Sequence, residues 1–321
     1  MTGLSRWQPA FVFPGQGSQN PGMGHNLAGC APGPQALLPA AERVTGLPVR
    51  ELMTRANAAT IADPEIAQLL VFVWSSVLHR QLDEEGVRPA AVAGHSLGEY
   101  SALVACGSLD WEEALTVVTA RGRAMAEAAR RQPGTMAVVA GLSTETVAQL
   151  CSRVCRGEEF AVPANLNSPR QTAVSGTVDA VASVVEAARS AGALRAKMLP
   201  VGGAFHSPLM TAAEDSLAPL LMATPLRAPH TPLVSSVTGQ PVTDIEAYRG
   251  QLLRQVTRPV RWQATVGSLV AQGVRTFVEV GPGRVLAGLG REMVRDGRHL
   301  GANEARRVLA DQLVLDGRKT A

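Results

Sequence analysis

Residues 90–100 read Ala-Ala-Val-Ala-Gly-His-Ser-Leu-Gly-Glu-Tyr, an apolar run that leads into a serine with a glycine two positions away on either side. An alanine- and leucine-rich helical pattern follows it. This spacing between a strand and a helix is typical of a nucleophile on a sharp turn, where side chains at the glycine positions would collide with the crossing backbone. Because two glycines around a serine also arise by chance in a chain with 31 glycines, the flanking strand and helix carry the prediction that Ser96 is a nucleophile.

The composition excludes several classes of protein. At 321 residues and 46% hydrophobic content, the chain is long enough for one large core with a smaller second domain. The first residues run straight into the strand-like 11–13 without an apolar signal core, and no segment reaches the roughly 18 uncharged apolar residues of a membrane helix. We therefore expect a cytoplasmic protein with no membrane partner. The net charge of +3 is too dispersed for a nucleic-acid partner, and the four cysteines lack the paired spacing of a metal site or a disulfide framework.

The order of apolar segments predicts two domains. Short apolar runs alternate with helical patterns up to about residue 133, as in α/β proteins. Residues 134–202 then read as strand, helix, strand, strand, helix, strand, which is the ferredoxin-like βαββαβ unit. We predict an α/β-hydrolase-like large domain with a parallel sheet, formed by residues 1–133 and 203–321 and interrupted by a small ferredoxin-like domain at 134–202. A ligand site is expected in the cleft between them.

Local patterns predict individual elements. Apolar residues at helical spacing predict a helix over 66–81, and a second helix is expected over 111–129 with Asp110 as its N-cap. Lysine occurs only at Lys197 and Lys319, and neither lies in a motif. A lysine base is therefore disfavoured, and we expect a histidine to serve Ser96.

Seven ordered segments match one family. They are residues 13–19 (Phe-Pro-Gly-Gln-Gly-Ser-Gln), 94–100 (Gly-His-Ser-Leu-Gly-Glu-Tyr), 121–122 (Arg-Gly), 165–169, 203–207 (Gly-Ala-Phe-His-Ser), 254–262 and 279–283 (Glu-Val-Gly-Pro-Gly). Together they resemble the malonyl-CoA:acyl carrier protein transacylase family, meaning the fatty-acid enzyme and the acyltransferases of polyketide synthases, over about residues 9–292. The resemblance implies ping-pong transfer of malonyl from CoA to the phosphopantetheine thiol of an acyl carrier protein through a malonyl-serine ester. Malonyl-CoA and the carrier protein would be the partners, and no cofactor is implied.

The resemblance also assigns a base. His206 lies in a glycine-rich loop just after the chain returns to the large domain, and we predict that it deprotonates Ser96. The matching position for its orienting group is the backbone carbonyl of Gln255, so a dyad without an aspartate is expected. His95 should line the pocket, because adjacent side chains point apart. The other histidines carry no motif and are expected at the surface: His25, His79, His230 and His299.

Substrate-binding residues follow from the same match. The N–H of Leu97, the residue after the nucleophile, is expected to stabilise the oxyanion, and the resemblance adds the N–H of Gln16. The segment around Gln16 lacks the motifs of a P-loop or of a dinucleotide fold. By resemblance Arg121 binds the free carboxylate of malonyl, which a guanidinium fork suits. Gln68 and Asn165 complete the predicted binding residues, although Gln68 precedes a leucine where relatives often have proline.

Phe205 predicts which acyl group is bound. Family members with Phe at this position prefer malonyl, whereas methylmalonyl users tend to have Ser, because a phenyl ring fills the space of an α-methyl. A methyl group discriminates by about 1–3 kcal/mol. Relatives often have asparagines after the strand that reads Leu-Val-Ser-Ser-Val at 233–237, so that part of the cleft is expected to differ.

Two other functions remain open at this point. One is an acyl-thioester hydrolase of the same fold, against which Arg121 argues, and the other is a non-catalytic subunit that binds carrier proteins. The residues from 203 to 210 lean slightly towards the polyketide branch over the fatty-acid branch. The sequence determines neither the carrier protein nor the oligomeric state.

Overall fold

Two separate sheets organise residues 8–315, the part of the chain that the computed structural model describes. The strands are β1 (Ala10–Phe13), β2 (Ala91–Gly94), β3 (Thr135–Ala140), β4 (Ala161–Ser168), β5 (Gln171–Gly176), β6 (Arg195–Met198), β7 (Leu233–Val234), β8 (Thr276–Glu279) and β9 (Arg298–Gly301). One sheet is parallel, with the order β7-β2-β1-β8-β9. The other is antiparallel, with the order β4-β5-β3-β6. The predicted α/β fold with a parallel sheet is confirmed.

Helices cover the sheets and fill the connections. They are α1 (Pro32–Gln35), α2 (Leu37–Thr45), α3 (Val49–Arg55), α4 (Ala58–Ala62), α5 (Pro64–Glu84), α6 (Gly98–Ala105), α7 (Trp111–Arg131), α8 (Thr144–Val154), α9 (Val178–Ser190), α10 (Thr211–Ala223), α11 (Ile245–Arg254), α12 (Trp262–Ala271), α13 (Val285–Met293) and α14 (Ala302–Leu315). Short 3₁₀ segments lie at His25–Gly29 and Pro208–Met210. Among the described residues, no helix is long and apolar enough to cross a membrane.

Helix α5 forms the centre of the main core. The Asp63 side chain accepts the N–H groups of residues 65 and 66, and Pro64 occupies the first turn, so both capping signals fix where the helix begins. Apolar residues cover almost its whole circumference, as expected for a helix that packs on all sides. They pack against Phe11 and Phe13 of β1. This burial also places Gln68, a polar residue of α5, in the interior with none of its surface exposed.

The turn between β2 and α6 has the geometry that its glycines predict. A Cβ at Gly94 would lie 2.0 Å from the carbonyl carbon of Gly98, and a Cβ at Gly98 would lie 2.0 Å from the oxygen of Phe13. Real Cβ atoms do not approach other atoms this closely, so both positions require glycine. Between them Ser96 adopts φ 53°, a left-handed conformation that costs an ordinary residue on the order of 1–3 kcal/mol.

The antiparallel sheet carries α8 and α9 and has its own core. Val139 of β3, Leu150 of α8, Val174 of β5 and Val181 of α9 are all buried within it. Ser143 caps α8 by accepting the N–H of Thr146. Two backbone hydrogen bonds of 2.8 Å join this sheet to the rest of the molecule, from Leu166 to Val260 and from Val260 to Ala164.

Several expectations need correction. His299 is not at the surface: it is 8% exposed, stacks on Phe277 and contacts the carbonyl of Val294 through Nε2. His79 is half-buried between two phenylalanine rings, whereas His25 and His230 are exposed as expected. Asp110 occupies the N-cap position of α7 as expected, but its side chain makes no cap hydrogen bond, and its carboxylate instead binds both terminal nitrogens of Arg227 at 2.8 Å.

Other differences concern the extent of elements. The sequence pattern did not predict α1–α4, α13 or β9. A 3₁₀ turn at Pro208–Met210 precedes α10. The strand expected at 233–237 is shorter, at Leu233–Val234. Residues 1–7 and 316–321 of the predicted large domain lie outside the described residues.

Candidate active site

The parallel sheet brings two distant turns together. Ser96 follows β2 and Gln16 follows β1, and these strands are neighbours with Phe13 paired to Gly94. Loops at the carboxyl ends of adjacent parallel strands meet at one edge of the sheet, where α/β proteins place their ligand sites. The N–H of His95 donates to the carbonyl of Phe13 at 2.9 Å, which ties the two turns to each other.

Ser96 and His206, 110 residues apart, form a hydrogen-bonded pair. The Oγ of Ser96 lies 2.8 Å from Nε2 of His206. The Nδ1 of His206 lies 2.8 Å from the carbonyl oxygen of Gln255 and 3.1 Å from that of Arg258. Carbonyls only accept, so Nδ1 carries the hydrogen and Nε2 is free to accept the hydroxyl proton of Ser96. Like Ser96, His206 has a left-handed backbone, with φ 59°.

The surroundings of His206 keep its ring neutral. Burial lowers its pKa to about 3, and the positive charge of Arg121 contributes in the same direction, while the carbonyl of Gln255 opposes the shift. At pH 7 the imidazole is therefore unprotonated and able to take up a proton.

Arg121 of α7 is a buried cation without a carboxylate contact among the described residues. It is 1% exposed. Its Nη1 donates to Oε1 of Gln68 at 2.5 Å, and its Nη2 donates to Oε1 of Gln255 at 3.0 Å and to Oγ of Ser96 at 3.1 Å. Its Nε has no partner. These hydrogen-bond partners are neutral groups. Burial lowers the pKa of Arg121, and the nearby Tyr100 and Glu99 oppose that shift.

The glycine after Arg121 explains how this contact is reached. A Cβ at Gly122 would lie 2.8 Å from the Cα of Glu65 on α5. The absence of a side chain lets α7 approach α5 closely, and this brings Arg121 against Gln68. The two residues of the Arg-Gly pair therefore act together, because the glycine allows the close helix packing that positions the arginine.

Gln255 contributes a side chain that the sequence did not predict. Beyond its carbonyl, its Nε2 donates to the carbonyl of Ser96 at 3.0 Å and to Oε2 of Glu99 at 2.5 Å, while its Oε1 faces Arg121. Glu99 itself was missed. The available signal was an acidic residue in the first turn of an otherwise apolar helix, α6, which is buried almost throughout. Burial raises the pKa of Glu99, and its hydrogen bonds oppose that shift.

The predicted residues line one cavity of about 350 Å³. Ser96, His206 and Arg121 lie in its wall together with four further predicted residues: Gln16, His95, Asn165 and Phe205. Its remaining wall is largely apolar and includes Met125 and Met136. Met136 and Asn165 belong to the antiparallel sheet, whereas Gln16 and Ser96 follow strands of the parallel sheet, so the cavity lies between the two sheets. Among the described residues, no group of three or more His, Cys, Asp and Glu side chains is placed to hold a metal ion.

The remaining predicted residues lie around this cavity. Gln68 is behind Arg121 and also contacts Oε1 of Gln16 at 3.2 Å. Leu97 is fully buried directly before α6 and is not among the residues of the cavity wall. The N–H groups of Leu97 and Gln16 have no acceptor within residues 8–315. His95 contacts Oδ1 of Asn167 at 3.0 Å, and its pKa is lowered by burial.

A second cavity, of about 410 Å³, adjoins the first. The two share part of their lining, including Gln16, His95 and Asn165. The second cavity runs between the antiparallel sheet and α13, and the exposed side chains of Arg195 and Lys197 stand in its wall.

A serine paired with a neutral histidine on a strand-to-helix turn, with a buried cation beside it, defines the class of serine-nucleophile acyltransferases. The family model for the acyl transferase domain matches residues 10–311. The chain belongs to the malonyl CoA-acyl carrier protein transacylase family, which confirms the resemblance noted in the sequence.

Individual relatives are similar over most of their length. The chain is 37% identical over 286 residues to the malonyl CoA-acyl carrier protein transacylase of Bacillus subtilis (strain 168), covering 89% of this chain and 90% of the relative. It is 38% identical over 288 residues to that of Escherichia coli (strain K12), with coverage of 89% and 93%. The structure of the Coxiella burnetii transacylase superposes with a TM-score of 0.90 at 33% identity, over 95% of this chain and 98% of that one. A malonyl-transacylase in complex with its type II PKS acyl-carrier protein superposes with a TM-score of 0.86 at 37% identity, with coverage of 92% and 94%.

Proposed function

We propose that this protein transfers malonyl from coenzyme A to the phosphopantetheine thiol of an acyl carrier protein through an ester on Ser96. The observation that carries the proposal is the buried guanidinium of Arg121, 3.1 Å from the nucleophile and without a carboxylate partner in the described chain. A buried cation whose contacts are neutral amides is strongly stabilised by an anionic ligand. An acyl group with a free carboxylate supplies that anion, and the thioester carbonyl next to it lies within reach of Ser96.

The loading half-reaction starts at the Ser–His pair. Ser96 Oγ attacks the thioester carbonyl and its proton passes to Nε2 of His206. The C–S bond then breaks, and the departing CoA sulfur takes the proton back from His206, which leaves a malonyl ester on Ser96. In the second half-reaction the pantetheine thiol gives its proton to His206 and attacks the ester, and Ser96 recovers its proton as it leaves.

The substrate carboxylate assists this proton transfer. Arg121 is the second cause, after burial, of the low pKa of His206. A carboxylate bound to Arg121 offsets that positive charge, so the ring becomes a stronger base when malonyl is present. An acyl group without a carboxylate leaves the cation uncompensated and the base weak.

Two backbone N–H groups are proposed to stabilise the oxyanion, those of Leu97 and Gln16. Two observations support this proposal: both turns meet at the nucleophile, and neither N–H has an acceptor among the described residues. We propose that Phe205, 5% exposed and in the cavity wall, occupies the space of an α-methyl group and so favours malonyl. Asn165 and His95 would contact the thioester arm, because both line the passage between the two cavities.

The second cavity is proposed as the path of the CoA and pantetheine arm. Its support is the lining it shares with the first cavity and the two exposed cations, Arg195 and Lys197, in its wall. Exposed cations attract phosphates, so loading would weaken as the salt concentration rises. The related transacylase found in complex with its carrier protein supports a carrier as the second partner. The pathway, fatty-acid or polyketide, stays open.

We propose the domain division predicted above, with residues 134–202 as a ferredoxin-like domain. Its support is the strand order β4-β5-β3-β6, with α8 and α9 connecting the strands, which is the order of a βαββαβ sheet. An α/β-hydrolase-like character of the larger part is supported by the parallel sheet and the turn at Ser96. A cytoplasmic location stays a prediction; the four unpaired cysteines fit a reducing compartment.

Mass spectrometry of the intact protein tests the function. Incubation with malonyl-CoA is expected to add one malonyl group to Ser96, and Ser96→Ala should abolish the adduct. Carrier protein bearing phosphopantetheine should then remove the malonyl and carry it as a thioester. Free malonate released rapidly without carrier would instead identify a hydrolase, and the absence of any adduct would leave only a carrier-binding role.

A further inference from the structure

Glu99 is a buried carboxylate that none of the proposed steps uses. It lies three residues after Ser96 in the first turn of α6, and none of its surface is exposed. Its Oε1 accepts the N–H of Ser236 at 3.0 Å, and its Oε2 accepts the hydroxyl of Ser236 at 2.7 Å and Nε2 of Gln255 at 2.5 Å. Each of these partners donates, so the environment suits an ionised carboxylate, which only accepts.

Ser236 lies two residues after the end of β7. In this chain its backbone and its hydroxyl both bind Glu99, and its side chain is fully buried. Ser236 and Gln255 therefore both donate to the same carboxylate oxygen, Oε2 of Glu99.

The amide of Gln255 connects Glu99 to the reacting groups. Its nitrogen donates to Glu99 and to the carbonyl of Ser96, and its oxygen accepts from Arg121. An amide can also lie the other way round, with its nitrogen towards the guanidinium. In that orientation the amide nitrogen would face a donor of Arg121, and the amide oxygen would face the carboxylate of Glu99. Both contacts would be repulsive, so Glu99 favours the observed orientation of the Gln255 amide.

We propose that Glu99 is a positioning residue for acyl transfer. Glu99 fixes the orientation of the Gln255 amide. The amide oxygen then stays hydrogen-bonded to Nη2 of Arg121, and the guanidinium stays directed towards the pocket. The inference rests on the proposed function, because it concerns how the carboxylate of the acyl group is bound.

Glu99→Gln is the test variant, since it keeps the size of the side chain and adds a donor. If the new amide keeps an acceptor towards Ser236, its nitrogen meets Nε2 of Gln255, and the Gln255 amide must turn. We expect kcat/KM for malonyl loading to fall about tenfold or more, mainly through a higher KM, as for one lost hydrogen bond to a charged group.

A double-mutant cycle separates positioning from general destabilisation. Gln255→Ala removes the side chain but keeps the carbonyl that holds His206. If Glu99 acts through that side chain, Glu99→Gln in the Gln255→Ala background changes kcat/KM less than about twofold. An equal loss in both backgrounds would overturn the proposal, and so would an unchanged kcat/KM in the single variant. Should Glu99→Gln not fold, Glu99→Asp keeps the charge but is one methylene too short for Gln255, and the same dependence on Gln255 is expected.

Glu279 supplies the matched control. It is also a buried carboxylate at the end of a parallel strand, but it accepts the N–H groups of Leu286 and Ala287 at the start of α13. Glu279→Gln is expected to lower Tm and to leave kcat/KM within about twofold. Failure of wild-type protein to acquire malonyl on Ser96 would overturn the proposed function, whereas normal wild-type loading with no effect of Glu99→Gln overturns the present inference alone.

Discussion

Arg121→Ala should convert a malonyl-selective site into one that no longer distinguishes acyl groups by their carboxylate. The guanidinium is already held in place by Gln68, Gln255 and Ser96, so little ordering is needed when the carboxylate binds. A bidentate contact supplies two hydrogen bonds to a charged group, each contributing at least about 1.5 kcal/mol. Their combined loss of about 3 kcal/mol corresponds to about a 10²-fold drop in kcat/KM for malonyl loading.

Acetyl loading should respond differently. Acetyl has no carboxylate to lose, and removal of the Arg121 charge lets the pKa of His206 rise, which strengthens the base. We expect acetyl loading to be unchanged or faster. Arg121→Lys keeps the charge but not the fork, and it should fall between the wild type and Arg121→Ala for malonyl.

The assay is single-turnover loading of Ser96 from malonyl-CoA and acetyl-CoA, followed by rapid quench and mass spectrometry. Arg123→Ala is the matched control: Arg123 lies two residues further along α7, is exposed, and pairs with Glu65 at 2.6 Å. This variant should load both groups as the wild type does. Equal losses of malonyl and acetyl loading in Arg121→Ala, in protein with an unchanged Tm, would refute the carboxylate contact.

Two further predictions concern the pocket and acid stability. Phe205→Ser should raise methylmalonyl loading relative to malonyl loading by about 5- to 100-fold, which is the effect of admitting one methyl group. Competition between the two CoA esters measures this ratio, and an unchanged ratio would exclude Phe205 as the selecting residue. The pKa of His206 is lowered to about 3 in the folded state, whereas a histidine in the unfolded chain has a pKa of about 6.5. Between these two values the unfolded chain binds more protons than the folded protein, so the free energy of unfolding falls as the pH drops from about 6.5 towards 3. His206→Gln should therefore show a slope of unfolding free energy against pH between 4 and 6 that is shallower by about 1.4 kcal/mol per pH unit, measured by urea denaturation, and equal slopes would contradict this reasoning.

Much of the fold could be predicted because its signals are local. The α5 pattern, the turn at Ser96 and the order of elements from residue 134 to 202 depend on neighbours in sequence, and the structure has the corresponding elements. Helices α1–α4 were not predicted, because each is too short, at four to nine residues, for a helical period to stand out. Their helical state depends on burial against α5.

The sequence by itself determined the nucleophile turn, the candidate base and the arginine, since each lies in a recognisable motif. Tertiary structure decided how they act together. Gln255 lies 159 residues from Ser96, yet its amide contacts Ser96, Arg121 and Glu99 at once, and its carbonyl holds His206. The orientation of that amide and the burial of Glu99 depend on which groups packing places around them. No local pattern encodes the direction of a hydrogen bond between residues so far apart in the chain.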